Sequence, residues 1–272
     1  MDARSALFDL YGDHLRSLPA DAADDVDAVP GQAPVAALVR LMGPLGIQAP
    51  AVRTAVSRMV RQGWLTAVRL PAGAGYVLTP RAVRRLDDAA ERIYRTSVRE
   101  WDGRWHLLVV ATPGSRPVRE RLHSQLGFFG YGGLGGSTWL SPRAAPELDA
   151  ALAEAGARAE RFVAVHDGDS QALIARAWDL ESLSRSYARF LDESRLVLDE
   201  ADTGSDEGAF AARSVLVHAW RKFLFVDPGL PAALLPPGWP GGKAAAWFDE
   251  EAARLFPAAR RFVTTCLEGP HD

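Results

Sequence analysis

Six residues between positions 50 and 70 are of types that recognise nucleic acid. Arg53, Thr54, Ser57, Arg58 and Arg61 recur at spacings that put them on one face of a helix, and Arg69 follows on a predicted ribbon. Arginine binds a guanine edge or a phosphate through two parallel hydrogen bonds. Serine and threonine add short hydroxyl bonds. From position 50 to 85 there are seven arginines (53, 58, 61, 69, 81, 84, 85) and neither aspartate nor glutamate. Such a surface attracts a polyanion. A merely solvated arginine face is the plain alternative, but the elements around it argue for contact with DNA.

Those elements are legible. Pro50 suits the first turn of a helix, where its missing N–H had no partner. Val52, Val56, Met59 and Val60 supply the opposite, apolar face, and Gly63 ends the helix as a left-handed cap. Residues 64–70 and 76–79 read as strands joined by a turn over 71–75, with Arg69 placed to reach backbone. Upstream, helices are predicted over 5–18, capped by Ser5, and 35–45, with an acidic loop at 19–32 between them. Helix, helix, recognition helix and ribbon form the order of a winged helix-turn-helix. A linker helix over 80–99 follows.

The rest of the chain changes character twice. Strands at 105–111, 138–140 and 161–166 alternate with helices at 117–126 and 144–155, the pattern of a small ferredoxin-like α+β sandwich. The stretch 127–136 reads as a glycine-aromatic loop. From 180 the pattern is helical: 180–200, an acidic linker at 199–208, 210–225, a proline-rich connector at 227–242, and 244–267 with an interruption near Pro257. The expected class is α+β, divided into 1–99, 100–176 and 177–272.

Composition sets outer limits. The net charge of −3 hides segregation, because the first thirty residues carry seven acids against Arg4 and Arg16. Local clustering is therefore the useful quantity for nucleic-acid binding. Cys266 is the only cysteine, which excludes an intrachain disulfide and a cysteine-rich zinc site. The expected compartment is the cytoplasm: the N-terminus has no signal pattern, and no apolar run is long enough for a bilayer.

Other motifs carry residue types capable of chemistry. Gly130, Gly132 and Gly135 match a dinucleotide fingerprint in letters, but no helix is predicted after them. His166, Asp167 and Asp169 offer oxygen and nitrogen ligands. They define the alternative function, a metal-dependent nucleic-acid-processing hydrolase built on the middle segment; a polar turn is the plainer reading. No catalytic dyad, metal site or cofactor site is expected. Trp220, Arg221, Lys222, Asp227 and Trp239 form the densest cluster of the C-terminal half. Tryptophans beside a proline-rich connector can cap a helical core. They can also wall a pocket for an aromatic or acyl group, with Arg221 or Lys222 meeting a negative charge.

Three stretches carry a family resemblance: TAVSRMVRQGWL (54–65), WDGRWHLLVV (101–110) and HAWRKFLFVDPGLPAALLPPGWPG (218–241). The chain resembles the PaaX-type transcriptional repressors of phenylacetic acid catabolism, and the matching stretches fall in all three expected segments. The resemblance implies a homodimeric repressor that binds a palindromic double-stranded DNA operator through its winged helix. It implies release by an acyl-CoA effector such as phenylacetyl-CoA. The middle segment is also similar to small CRISPR-associated endoribonucleases, which place an aspartate at the end of their first strand. Here that strand ends Val110-Ala111-Thr112, which speaks against nuclease activity.

Overall fold

The structure is a computed structural model, and it describes residues 1–16, 31–93, 101–111 and 115–268. The expected acidic loop at 19–32 up to residue 30, the linker helix beyond Ile93 and the strand end at Thr112 lie outside them. Helices and two antiparallel sheets together make the fold α+β.

Helix α1 (Ala3–Leu10) opens the chain. Its cap is Asp2, not Ser5: the Asp2 carboxylate accepts from the Arg4 and Ser5 amides at 3.0 and 3.1 Å, and the Ser5 hydroxyl donates to it as well. The helix then widens into a π turn at Tyr11–Leu15, closed by Arg16 N–H to the Tyr11 carbonyl at 2.9 Å. Strand β1 (Gln32–Pro34) was not expected. Then come α2 (Val35–Met42) and α3 (Ala49–Arg61), separated by a tight helical turn at Gly43–Leu45. Strands β2 (Leu65–Leu70) and β3 (Gly73–Leu78) pair antiparallel, with Leu70 opposite Gly73. The ribbon's turn is thus two residues, shorter than the five expected. β1 adds to the far side of β3, giving the order β1-β3-β2. Helix α4 (Pro80–Ile93) follows, its start fixed by the Thr79 hydroxyl, which accepts from the Ala82 amide.

The second sheet is built from β4 (Trp105–Ala111), α5 (Arg116–Phe128), β5 (Gly132–Gly135), β6 (Thr138–Ser141), α6 (Leu148–Glu154) and β7 (Arg158–Ala164). The order β-α-β-β-α-β with spatial sequence β5-β6-β4-β7 is that of a split βαβ unit. β5 corrects the expectation of a loop over 127–136. Its glycines are explained by close packing: a Cβ on Gly132 would lie 2.5 Å from the Trp178 ring. Next comes α7 (Ser170–Ala177), a helix that was not expected; the expected polar turn at 166–169 leads into it, with Asp169 as its cap. The Asp169 carboxylate accepts from the amides of Gln171 at 2.8 Å and Ala172 at 3.2 Å.

Four helices end the chain: α8 (Leu180–Glu200), α9 (Asp206–Arg221), α10 (Phe223–Val226) and α11 (Gly241–Glu268). α11 runs through Pro257 without the expected interruption.

By packing, the chain forms two compact units. The first joins Met1–Ser97, Phe190–Arg221 and Ala245–Asp272; the second joins Val98–Arg189 and Lys222–Ala244. In the first, Leu7, Leu41, Met42, Val56, Met59 and Leu65 share one apolar cluster with Phe210, Ala259, Val263 and Cys266. The N-terminal helices and ribbon are therefore backed by α9 and α11. In the second, Leu108 and Val110 of β4 pack with Leu122, Leu126, Leu148 and Leu152 of α5 and α6.

Candidate nucleic-acid interface

Helix α3 is amphipathic in the way its sequence predicts. Val52, Ala55, Val56 and Met59 are buried, while Arg53, Thr54, Ser57, Arg58 and Arg61 are all exposed. Two rows result: Arg53, Ser57 and Arg61 at successive fours, and Thr54 with Arg58 beside them. The Thr54 hydroxyl donates to the Pro50 carbonyl at 2.9 Å, so toward a ligand it acts as an acceptor. Among the described residues no ion pair engages Arg53, Arg58, Arg61 or Arg69. Thirteen residues make a rod about 20 Å long, a fit for a DNA major groove about 12 Å wide.

The ends of α3 are fixed locally. Pro50 lies in its first turn. Gly63 at φ 71° turns the chain, with its N–H bonded to the Val60 carbonyl at 2.9 Å and Trp64 N–H to Met59 at 2.9 Å. Trp64 packs edge-on against Phe8 with centroids 4.7 Å apart, and the Arg81 guanidinium lies 5.9 Å over its ring. Arg69 stands opposite Ala74, one pair from the ribbon tip, and is exposed. The ribbon thus projects a cation beside the helix that carries the others.

The effector candidates separate. Trp220 is 5% exposed and stacks on Phe248, centroids 4.7 Å apart and planes 11° apart, with Phe190 at 5.1 Å. Arg221 pairs with buried Asp9; burial holds its guanidinium below the usual arginine range. Both belong to the first unit. Lys222, Asp227 and Trp239 belong to the second. There Lys222 is exposed, and Asp227 accepts from the Tyr187 hydroxyl and from the Gly229 amide at 2.7 Å. Trp239 meets the Tyr187 ring edge-on at 6.1 Å.

The second unit also holds a cavity of about 270 Å³ that the sequence reading missed. Trp178, Leu183, Ser182 and Ser186 line it together with Val226 and Pro228, the neighbours of Asp227. The one available signal was Ser182 and Ser186, four apart on α8 beside its buried Leu183 and Tyr187.

His166, Asp167 and Asp169 do not converge: Asp169 is spent on the cap of α7. Among the described residues no three His, Cys, Asp or Glu side chains are grouped to hold a metal. No helix is long and apolar enough to cross a membrane, again among the described residues.

Three family models match in succession: PaaX-like protein over residues 2–82, PaaX protein central Cas2-like domain over 98–174, and PaaX-like protein C-terminal domain over 178–265. The chain belongs to the PaaX-like family. This PaaX-like chain is 29% identical over 246 residues to the transcriptional repressor PaaX of Escherichia coli (strain K12), covering 86% of the chain and 78% of that protein. It is also similar to a solved structure, the uncharacterized protein Rv0674 from Mycobacterium tuberculosis. There the identity is 27% and the TM-score 0.61, with 93% of this chain and 99% of that one covered. The α3 arginine face lies inside the first matched segment of the PaaX-like chain, and the β4–β7 sheet inside the Cas2-like one.

Proposed function

We propose that this chain is a DNA-binding transcriptional repressor of a phenylacetic acid catabolic operon, a regulator and not an enzyme. The carrying observation is the exposed, acid-free face of α3, backed by a packed core and flanked by a ribbon with Arg69 near its tip. Similarity to a transcriptional repressor over most of the chain supports the same reading. In this proposal residues 1–99 form a winged helix-turn-helix with its linker, 100–176 a ferredoxin-like domain and 177–272 a helical domain. Arg53, Thr54, Ser57, Arg58 and Arg61 enter the major groove, and Arg69 binds the backbone beside it. The protein acts in the cytoplasm as a homodimer on a two-fold operator.

Release from DNA is proposed to follow binding of an acyl-CoA ester, phenylacetyl-CoA first among them. Such an effector must bind the DNA-incompetent arrangement better than the competent one. Of the five effector candidates, Asp227 lies between two residues that line the cavity of the second unit. That cavity's tryptophan and leucine walls suit an apolar acyl group. Trp220 and Arg221 would serve the effector only by exchanging their present partners, Phe248 and Asp9.

The deciding experiment is a gel-shift titration of Arg58→Ala/Arg61→Ala on operator DNA. A base-reading arginine contributes roughly 1–3 kcal/mol, so the pair should weaken specific binding by tenfold or more. Unchanged affinity would remove α3 from the interface.

A further inference from the structure

The arginines of the N-terminal half do not end with α3 and its ribbon. From Ala28 to Leu86 the chain carries no aspartate or glutamate. Its last cations there, Arg81, Arg84 and Arg85, stand in the first turns of α4, and all three are exposed. At spacings of three and four they share about 100° of the helix surface, while Ala82 and Leu86 are buried on another side. The run ends at Asp87 and Asp88, and Asp87 is taken by Arg16. A helix face that is only solvated ordinarily mixes both signs. Over its first turns this one does not.

Those turns are fixed to the end of α3 by Thr79. Its hydroxyl donates to the Gly63 carbonyl at 2.8 Å and accepts from the Ala82 amide at 3.2 Å. Its N–H bonds the Trp64 carbonyl at 3.0 Å. Gly63 and Trp64 lie just past the last turn of α3. The Arg81 guanidinium lies 5.9 Å over the Trp64 ring. Such a contact occupies the face of a guanidinium and leaves its N–H edge for an acceptor. The α4 cations therefore begin at the junction where the α3 cations stop.

Dimensions and charge define the occupant. A helix with its side chains is about 10–12 Å across, and a major groove about 12 Å wide holds one. With α3 in the groove, a second helix joined to its end meets the groove wall, which is sugar and phosphate. From Arg81 to Arg85 the helix rises about 6 Å, the axial length of roughly two phosphates on one strand. Three arginines without an amide or hydroxyl side chain among them suit phosphate.

We infer that the first two turns of α4 form a backbone clamp, in which Arg81, Arg84 and Arg85 bind phosphates flanking the base pairs met by α3. The inference rests on the DNA-binding reading above and extends its footprint. The test is fluorescence anisotropy of the full chain, titrated with salt, on the operator and on a mixed-sequence duplex. Arg81→Gln/Arg84→Gln/Arg85→Gln keeps helix propensity and removes the charges. It should weaken both complexes alike and lower the salt slope of log K by about 2–3 per subunit. Its deficit against the parent should then shrink roughly 20- to 40-fold between about 50 and 200 mM salt. Should the triple change unfold the chain, Arg84→Gln and Arg85→Gln singly should each lower the slope by about 1. Arg81→Lys/Arg84→Lys/Arg85→Lys keeps point charges and should hold the parent's slope. A lysine variant weakened on the operator alone would make these arginines base readers and overturn the clamp. Glutamine variants with the parent's slope on both duplexes overturn it too, whether or not they melt lower. The DNA-binding reading then stands if Arg58→Ala/Arg61→Ala still weakens the operator complex. A parent that binds neither duplex overturns both.

Discussion

Arg213 grips Asp13 by two hydrogen bonds of 2.7 Å, Nε to Oδ2 and Nη2 to Oδ1, across 200 residues of chain. Both side chains are buried, at 5% and 7% exposure. The same guanidinium donates to the Ala252 carbonyl and lies 4.8 Å over the Phe256 ring. One side chain therefore ties α9 to the π turn after α1 and to α11. Arg213→Ala leaves Asp13 buried without this cation and should destabilise the first unit by about 3–5 kcal/mol in urea unfolding. Arg213→Met/Asp13→Leu removes both charges and should cost clearly less. Equal losses in the two variants would mean that packing, not charge, governs the contact.

His14 sits in the same π turn, stacked on Phe256 with centroids 5.9 Å apart. Its ring nitrogens make no hydrogen bond, although Nε2 is 3.2 Å from Asp13. Burial dominates the opposing pull of Asp13 and lowers its pKa to about 4. The unfolded chain, with histidine near 6.5, binds the proton first, so stability falls as pH drops from about 6.5 toward 4. The loss should reach on the order of 2–3 kcal/mol at the bottom of that window. His14→Phe keeps a stacked ring and cannot titrate. Its melting temperature should depend less on pH between 6.5 and 4; an unchanged slope would assign the effect to other groups.

Arg69 and the α3 arginines should differ in kind. If Arg69 binds phosphate, Arg69→Ala weakens operator and non-operator DNA alike and lowers the salt slope of log K by about 1. If Arg58 reads a base, Arg58→Ala costs roughly 1–3 kcal/mol on the operator and relaxes preference at one position. Fluorescence anisotropy against salt separates the two.

Gly130 and Gly46 offer a matched comparison. Both have positive φ, 85° and 72°. A Cβ on Gly130 would lie 2.7 Å from the Pro228 carbonyl oxygen, whereas one on Gly46 would meet nothing within 4 Å. Gly46→Ala should cost only backbone strain, about 1 kcal/mol. Gly130→Ala adds a backbone clash and should lower the melting temperature several degrees further. Equal shifts would mean that Pro228 yields freely.

Thermal shift with phenylacetyl-CoA, free CoA and phenylacetate tests the effector. A ligand of the folded state at 100 times its Kd adds about 2.7 kcal/mol. The thioester should raise the melting temperature where its parts do not. Three equal responses would count against an acyl-CoA effector.

The sequence carried the local features well. Pro50, the apolar spacing of Val52, Val56 and Met59, and Gly63 located α3 and its exposed face, because each acts within one helical turn. Asp2 escaped because Ser5 is also a capping type, and only geometry ranks the two. β5 escaped because its glycines read as a loop. Their reason is Trp178, more than forty residues on. α7 escaped because aspartate and glycine serve turns and caps alike. The effector cluster was read from adjacency, yet the chain passes from one unit to the other between Arg221 and Lys222. Neighbours in sequence became residents of different cores. Nor could spacing reveal that Trp220 stacks on Phe248.

The first unit is assembled from three separated stretches of chain, and this has a consequence on the ribosome. A nascent polypeptide that has emerged through residue 97 already carries the α3 arginines. It lacks Phe210, Ala259, Val263 and Cys266, which close the cluster behind Leu7 and Met59. The unit presenting those cations is therefore the last to finish, and a ribosome stalled midway displays a basic surface without a settled scaffold. In the proposed repressor, competence to read DNA then requires α11, so products truncated before it should be poor competitors for the operator.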